Sequence, residues 1–162
     1  MMPKYRTLNR DELNILEQDF VQFLVTNGIT ANDWELLKIE EPEKAEQMVG
    51  LFSDIVFEKA LSKINYLTKT ETTAIICIQF SNDGFKMRGL LADADSGIDF
   101  TKKEAIKNAI VNPPKCLKVV ADEKPFEKDK HQDIFAFMQQ GFDIDNGKFF
   151  HALELSQKQT LN

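Results

Sequence analysis

Residues that carry chemistry are scarce in this chain. It has two cysteines, two histidines and one tryptophan in 162 residues. Cys77 and Cys116 lie inside apolar runs, not in a Cys-x-x-Cys pair, so both are expected to be reduced and buried. His131 sits in a charged stretch and His151 between Phe150 and Ala152. With no ligand-type neighbours at metal spacing, they define no zinc site. There is no Gly-x-Ser-x-Gly elbow, no phosphate-binding glycine loop with lysine and no dinucleotide fingerprint. No run of 18 apolar residues is present, which argues against a membrane helix. The opening Met1-Met2-Pro3-Lys4-Tyr5-Arg6 lacks the apolar core of a secretion signal, so a cytoplasmic location is expected. Net charge is −6, and the most basic stretch, Lys115 to Lys118, holds two lysines, so nucleic acid is not an expected partner.

What the chain does have is apolar bulk. Hydrophobic residues make up 43% of it and 13 residues are Phe, enough for a packed core. At this length one core is normally sufficient, so residues 1–162 read as a single domain with a helical half at 1–67 and a mixed half at 72–162. No internal repeat or linker interrupts them.

The helical half begins at Asn9, which with Glu12 resembles a capping box, and a first helix carries Leu13, Leu16, Phe20, Phe23 and Leu24 to a stop at Gly28. Thr30 and Asp33 start a second helix through Trp34 and Leu37, and Pro42 suits the first turn of a third. That third helix, roughly Pro42 to Tyr66, is apolar around most of its circumference. It is therefore expected to be central, buried between helices and a sheet.

From Thr72 the pattern becomes strand-like. Ala74 to Phe80 and Phe85 to Leu91 flank Ser81-Asn82-Asp83-Gly84, a hairpin signal. Thr101 and Glu104 form a second candidate capping box, Pro113-Pro114 ends that helix, and Cys116 to Ala121 reads as a third strand. Asp122 to Lys130 reads as a charged loop. Ile134 to Met138 forms a helix face that Gly141 can stop. Residues 142–155 admit a hairpin about Asn146-Gly147 or a turn and helix capped by Asp145, with Ile144 stapled to Phe149. The helical alternative is preferred. The fold class is thus α+β: three N-terminal helices including the central one, a sheet of about three strands, and C-terminal helices.

Candidate sites are thin. Asp93, Asp95, Asp99 and Glu104 fall at positions 1, 3, 7 and 12 of a calcium-type loop, yet Ile98 stands where the turn glycine belongs and Gly97 is one place early. Asp54 and Glu58 lie one helical turn apart and, with His151, are the polar groups a small-molecule site between helices and sheet would use. Their simpler role is pairing with Lys59 or Lys63. Trp34 and the phenylalanines are core residues or anchors of an interaction surface.

The segments Tyr5-Arg6-x-Leu8, Phe20-x-x-Phe23-Leu24, Gly28-Ile29, Trp34, Phe52-Ser53-Asp54-Ile55-Val56-Phe57 and Tyr66-Leu67, with Ile134-Phe135, Gly141 and Phe149-Phe150, resemble a family of small bacterial proteins known as a domain of unknown function. The resemblance spans most of the chain but omits Asp93 to Asp99. It implies a bacterial cytosolic protein and brings no catalytic, cofactor or metal residues. The leading expectation is a non-enzymatic interaction or regulatory module that contacts another protein or itself. A small-molecule binder or enzyme stands second, and calcium binding at 93–104 third.

Overall fold

The computed structural model describes residues 2–161, with side chains described to Lys158. The chain divides into two compact units, Met1–Ser62 and Lys63–Asn162.

The first unit is helical, with α1 (Arg10–Ile15), α2 (Glu17–Thr26), α3 (Ala31–Glu40) and α4 (Pro42–Leu61). Four helices stand where three are expected, because Leu16 leaves the helical conformation at φ −99° and ψ 21°. Its N–H still reaches the Glu12 carbonyl at 3.1 Å, so the chain kinks there without losing that bond. The capping box expected at Asn9 with Glu12 forms, and Thr30 with Asp33, expected only as a helix start, forms another. Their side chains satisfy N–H groups that the first helical turn cannot. Gly28 ends α2 at φ +75°, and Pro42 starts α4.

The core of this unit gathers on Phe52, which is 3% exposed. Its ring lies 5.1 Å from Phe20 and 5.5 Å from Phe23, and Phe20 meets Trp34 edge-on at 5.2 Å. Beside it, Ser53 is fully buried. Its hydroxyl accepts from the Leu8 N–H at 2.9 Å and donates to the Val49 carbonyl at 2.7 Å. Helix α4 differs from expectation in two ways. It stops at Leu61, well short of Tyr66. It is also not covered all round, because Leu51 and Ile55 are more than half exposed. An apolar circumference in sequence is here partly wet.

The second unit is a five-stranded antiparallel sheet in the order β4-β3-β2-β1-β5, from β1 (Tyr66–Glu71), β2 (Ala74–Phe80), β3 (Gly84–Leu91), β4 (Lys118–Pro125) and β5 (Asp143–Asp145). Two of these strands are missing from the sequence reading. Strand β1 falls where the sequence reading ends its third helix at Tyr66 and assigns nothing before Thr72; only Leu67 of it is fully buried, and its other positions are Tyr, Thr, Lys and Glu. Strand β5 is three residues long and adds to the free edge of β1. Strand β4 also runs through Asp122–Pro125, because a charged edge strand imitates a loop in sequence.

Register explains the apolar density of β2. Ile75 and Cys77 face one side with Leu90 of β3, in a cluster completed by Phe100, by Ile106 and Ala109 of α5 (Lys103–Val111), and by Phe150 and Leu153 of α7 (Lys148–Leu161). Ile78 and Phe80 face the other side. There Phe137 of α6 (Lys130–Gln139) lies 6.2 Å from Phe80 and 5.2 Å from Phe85. A strand covered on both faces reads as a nearly continuous apolar run.

Several local readings are corrected. Thr101 and Glu104 form no capping box: α5 starts at Lys103, and Thr101 donates instead to Asp99, from N at 3.0 Å and from Oγ1 at 2.5 Å. The 2-residue shift moves the turn upstream of the helix. Residues 142–155 combine the two readings, a short strand followed by helix. Asp145 belongs to β5, Ile144 is exposed and does not serve as a staple, and the Asn146 side chain accepts from the Lys148 N–H at 3.0 Å. Gly147 is required there, since its φ is +86° and a Cβ would lie 2.7 Å from the Tyr66 ring. The Asp83-Gly84 hairpin forms as expected between β2 and β3, but Gly84 is not in a positive-φ conformation. It is needed because a Cβ would sit 2.2 Å from the Lys124 carbonyl oxygen.

Phe100 has no exposed surface, and its N–H bonds the Thr72 carbonyl at 2.9 Å. Truncating Phe100→Ala is expected to cost about 3–5 kcal/mol in urea unfolding. By contrast, Ile144→Ala at the exposed edge should stay within about 0.5 kcal/mol.

Candidate functional site

Asp54 and Glu58 are brought together, but as anchors for the N-terminal segment. Both Asp54 oxygens accept from the Lys4 backbone N–H, at 2.9 and 3.0 Å. Glu58 Oε1 accepts from Lys4 Nζ at 2.9 Å and from the Tyr5 hydroxyl at 2.5 Å. The predicted lysine partners, Lys59 and Lys63, are replaced by residues about fifty positions upstream, a pairing that spacing along one helix cannot reveal. Burial, and then the Glu58 carboxylate, push the Tyr5 phenol well above the ordinary tyrosine range. The phenol is therefore a hydrogen-bond donor at neutral pH and not a base. Arg6 completes the strap, gripping both Glu12 oxygens at 2.8 Å, with its guanidinium 4.9 Å from the Phe57 ring centre.

His151 belongs to the second unit and has a different set of partners. Its Nε2 lies 2.8 Å from the Tyr66 hydroxyl, which accepts from Gln79 Nε2 at 3.0 Å. The same side of the sheet carries Thr68, donating to Asp145 at 2.9 Å, and Arg88, 3.5 Å from Glu154. Spacing does not flag this seam, because its members come from four separate elements. These half-buried and exposed polar groups link α7 to the sheet through hydrogen bonds to one another.

The other candidates separate. Asp93, Asp95 and Glu104 are exposed, while Asp99 is held by Thr101, whose hydroxyl and N–H lower its carboxyl below the ordinary value. Among the described residues no three His, Cys, Asp or Glu side chains converge as a metal site. Within the 93–104 segment, Ala94–Ser96 form a 3-10 turn closed by Gly97 at φ +75°. His131 is half-buried in the first turn of α6, not exposed. Cys77 is buried as expected, with its thiol pushed up to about 11 by burial, but Cys116 is exposed. Pro113-Pro114 throws it into a turn ahead of β4, where an apolar neighbourhood in sequence does not mean an interior position.

The largest concave feature among those described lies in the helical unit. A hollow of about 600 Å³ is walled by α1, α2 and α3 with Val49 of α4, and its floor is Leu13, Phe20, Leu24 and Trp34. A second hollow, about 510 Å³, shares Trp34, Lys38 and Val49 with it. The larger hollow is the trough, and the smaller shares these residues with it. Along the trough's wall Val21 and Val25, one turn apart on α2, are 51% and 59% exposed. Of the residues the sequence offered for an interaction surface, Trp34 lines this trough. The aliphatic wall was missed because each of its residues also fits a core stripe.

Two measurements check these assignments. In the folded chain, iodoacetamide should modify Cys116 alone, with Cys77 reacting only after denaturation. Glu12, whose bonds from Arg6 and from the Asn9 N–H lower its carboxyl from 4.5 to about 2, should titrate near that value by carbon-detected NMR. Because the folded-state value is depressed, its contribution to stability is present above pH 4.5 and is lost as pH falls toward 2. Arg6→Gln should move the titration midpoint upward.

No curated protein and no solved structure matches the chain. No helix among the described residues is long and apolar enough to cross a membrane. The chain does match a protein family, DUF6495, described as a family of unknown function, over residues 1–158. That match bears out the resemblance carried by the aromatic and helical segments, from Tyr5-Arg6 to Phe149-Phe150. The chain belongs to the DUF6495 family.

Proposed function

We infer that this protein is a non-enzymatic interaction module of the bacterial cytosol, and that it engages a protein partner through the trough on its N-terminal helices. The observation that carries the reading is a hollow of about 600 Å³ lined by Leu13, Phe20, Leu24 and Trp34 together with exposed Val21 and Val25. Scattered apolar residues are normal on a protein surface, whereas a concave apolar strip flanked by charge is the form interaction sites take. Arg10, Glu17, Glu35 and Lys38 provide that polar border. The carboxylates that a reaction would need, Asp54 and Glu58, are engaged by Lys4 and Tyr5, which favours binding over catalysis.

The test is site-specific photo-crosslinking in living cells. A photoreactive residue at position 21 or 25 should yield discrete protein adducts, while one at position 119, exposed on edge strand β4, should yield none. Equal labelling from all three positions, or none from the trough, would overturn the reading. Size-exclusion light scattering on the purified chain separates a foreign partner from a second copy.

A further inference from the structure

The two compact units differ sharply in charge. Residues 1–62 hold six Lys and Arg against twelve Asp and Glu, whereas residues 63–162 hold fourteen of each. The whole net charge of −6 therefore belongs to the unit that bears the trough. It is concentrated where α3 passes into α4, at Glu40, Glu41, Glu43 and Glu46, and Glu46 itself lines the second hollow. Lys44 sits among these acids and pairs with Glu41 at 2.5 Å. Glu40, Glu43 and Glu46 have no ion-pair partner among the described residues.

We propose that the occupant of the trough is a basic amphipathic helix of a partner protein. Its apolar face lies on Val21, Val25 and Trp34, and its Lys or Arg residues lie toward Glu43 and Glu46. This rests on the interaction reading above and adds the partner's shape and sign. A helix is favoured over an extended peptide because the unit has no strand among its described residues, and hence no sheet edge to extend. Apolar side chains recurring every three to four residues suit a wall built from Val21 and Val25 at that same spacing. The acids supply attraction at a distance and set the direction in which the helix lies. A second copy is disfavoured because like-charged acidic units repel.

The experiment uses the full chain and two labelled synthetic peptides of about 18 residues, roughly 27 Å long as helices. One is built from Leu and Lys and the other has the same pattern of Leu and Glu. Fluorescence anisotropy should show the basic peptide binding at low salt and weakening as salt rises, with the acidic peptide at least about tenfold weaker. The charge-neutral double variant V21S/V25S, with helicity verified by circular dichroism, should weaken the basic peptide about tenfold. So should E43Q/E46Q, which leaves the apolar wall intact. If both peptides bind alike, the partner's sign is wrong while the interaction reading stands. If V21S/V25S leaves the basic peptide unaffected, the attraction is diffuse surface charge and the proposal falls. Should neither peptide bind while crosslinks from position 25 persist in cells, the helix is the wrong occupant. A chain that dimerises through position 25 would replace the proposal with self-association.

Discussion

The helical unit depends on one ring. Phe52 of α4 is where α2 and α4 meet, since Phe20 and Phe23 both pack against it within 5.5 Å, and Trp34 is joined to it through Phe20. Short helices are marginal alone and are held by the face they bury. Here α1 has 6 residues and α2 and α3 have 10 each, so the aromatic cluster is what makes them cooperative. The same constraint accounts for what is left uncovered. A unit of about sixty residues has too little interior for all its apolar side chains. Ile15, Val21, Val25, Leu36, Ile39, Leu51 and Ile55 are consequently more than half exposed. The trough follows from packing one aromatic cluster well and having more aliphatic surface than that cluster can enclose.

Much of the local structure was legible because capping and turn chemistry act over three or four residues. Asn9 with Glu12, Thr30 with Asp33, Pro42, and the glycines at 28 and 141 each lie at or just beyond a helix end as expected. The errors share a cause, which is competition between near neighbours for one hydrogen bond. Thr101 reads as a cap for Glu104, yet Asp99 lies two residues away and takes both of its donors. Asp145 reads as a helix cap, yet β1 offers a strand partner, and Asn146 takes over at the helix start. A pattern states which bonds are available. The surrounding chain decides which one forms.

The sheet was half legible for a different reason. Strand β2 is covered on both faces, so its apolar run stands out, and β3 is tied to it by a hairpin. Strands β1, β4 and β5 carry Lys, Glu, Asp and Thr at most positions, because they lie at or near the edges where polar residues restrain unwanted pairing. An edge strand defined by its backbone bonds looks like a loop to any reading of side chains. The candidate site had the same difficulty at longer range. Asp54 and Glu58 were correctly placed on one face of α4, but what occupies them is the N-terminal strap, fifty residues distant.

The position of that strap bears on which surfaces remain for binding. Lys4, Tyr5 and Leu8 lie along α4 and engage Asp54, Glu58 and Ser53, so these three polar side chains of the helix already have partners. Ser53 shows how closely the covering is fitted, since its buried hydroxyl both accepts from the strap and donates to its own helix. A buried hydroxyl left without the Leu8 N–H would carry an unmet desolvation cost, which makes the strap part of the fold and not a removable tail. With Asp54 and Glu58 engaged, this unit still presents to water aliphatic groups on α2 and α3, Leu51 and Ile55 of α4, and acids at the α3–α4 corner. Apolar surface and directional charge are the two properties on which the proposed recognition of a partner rests.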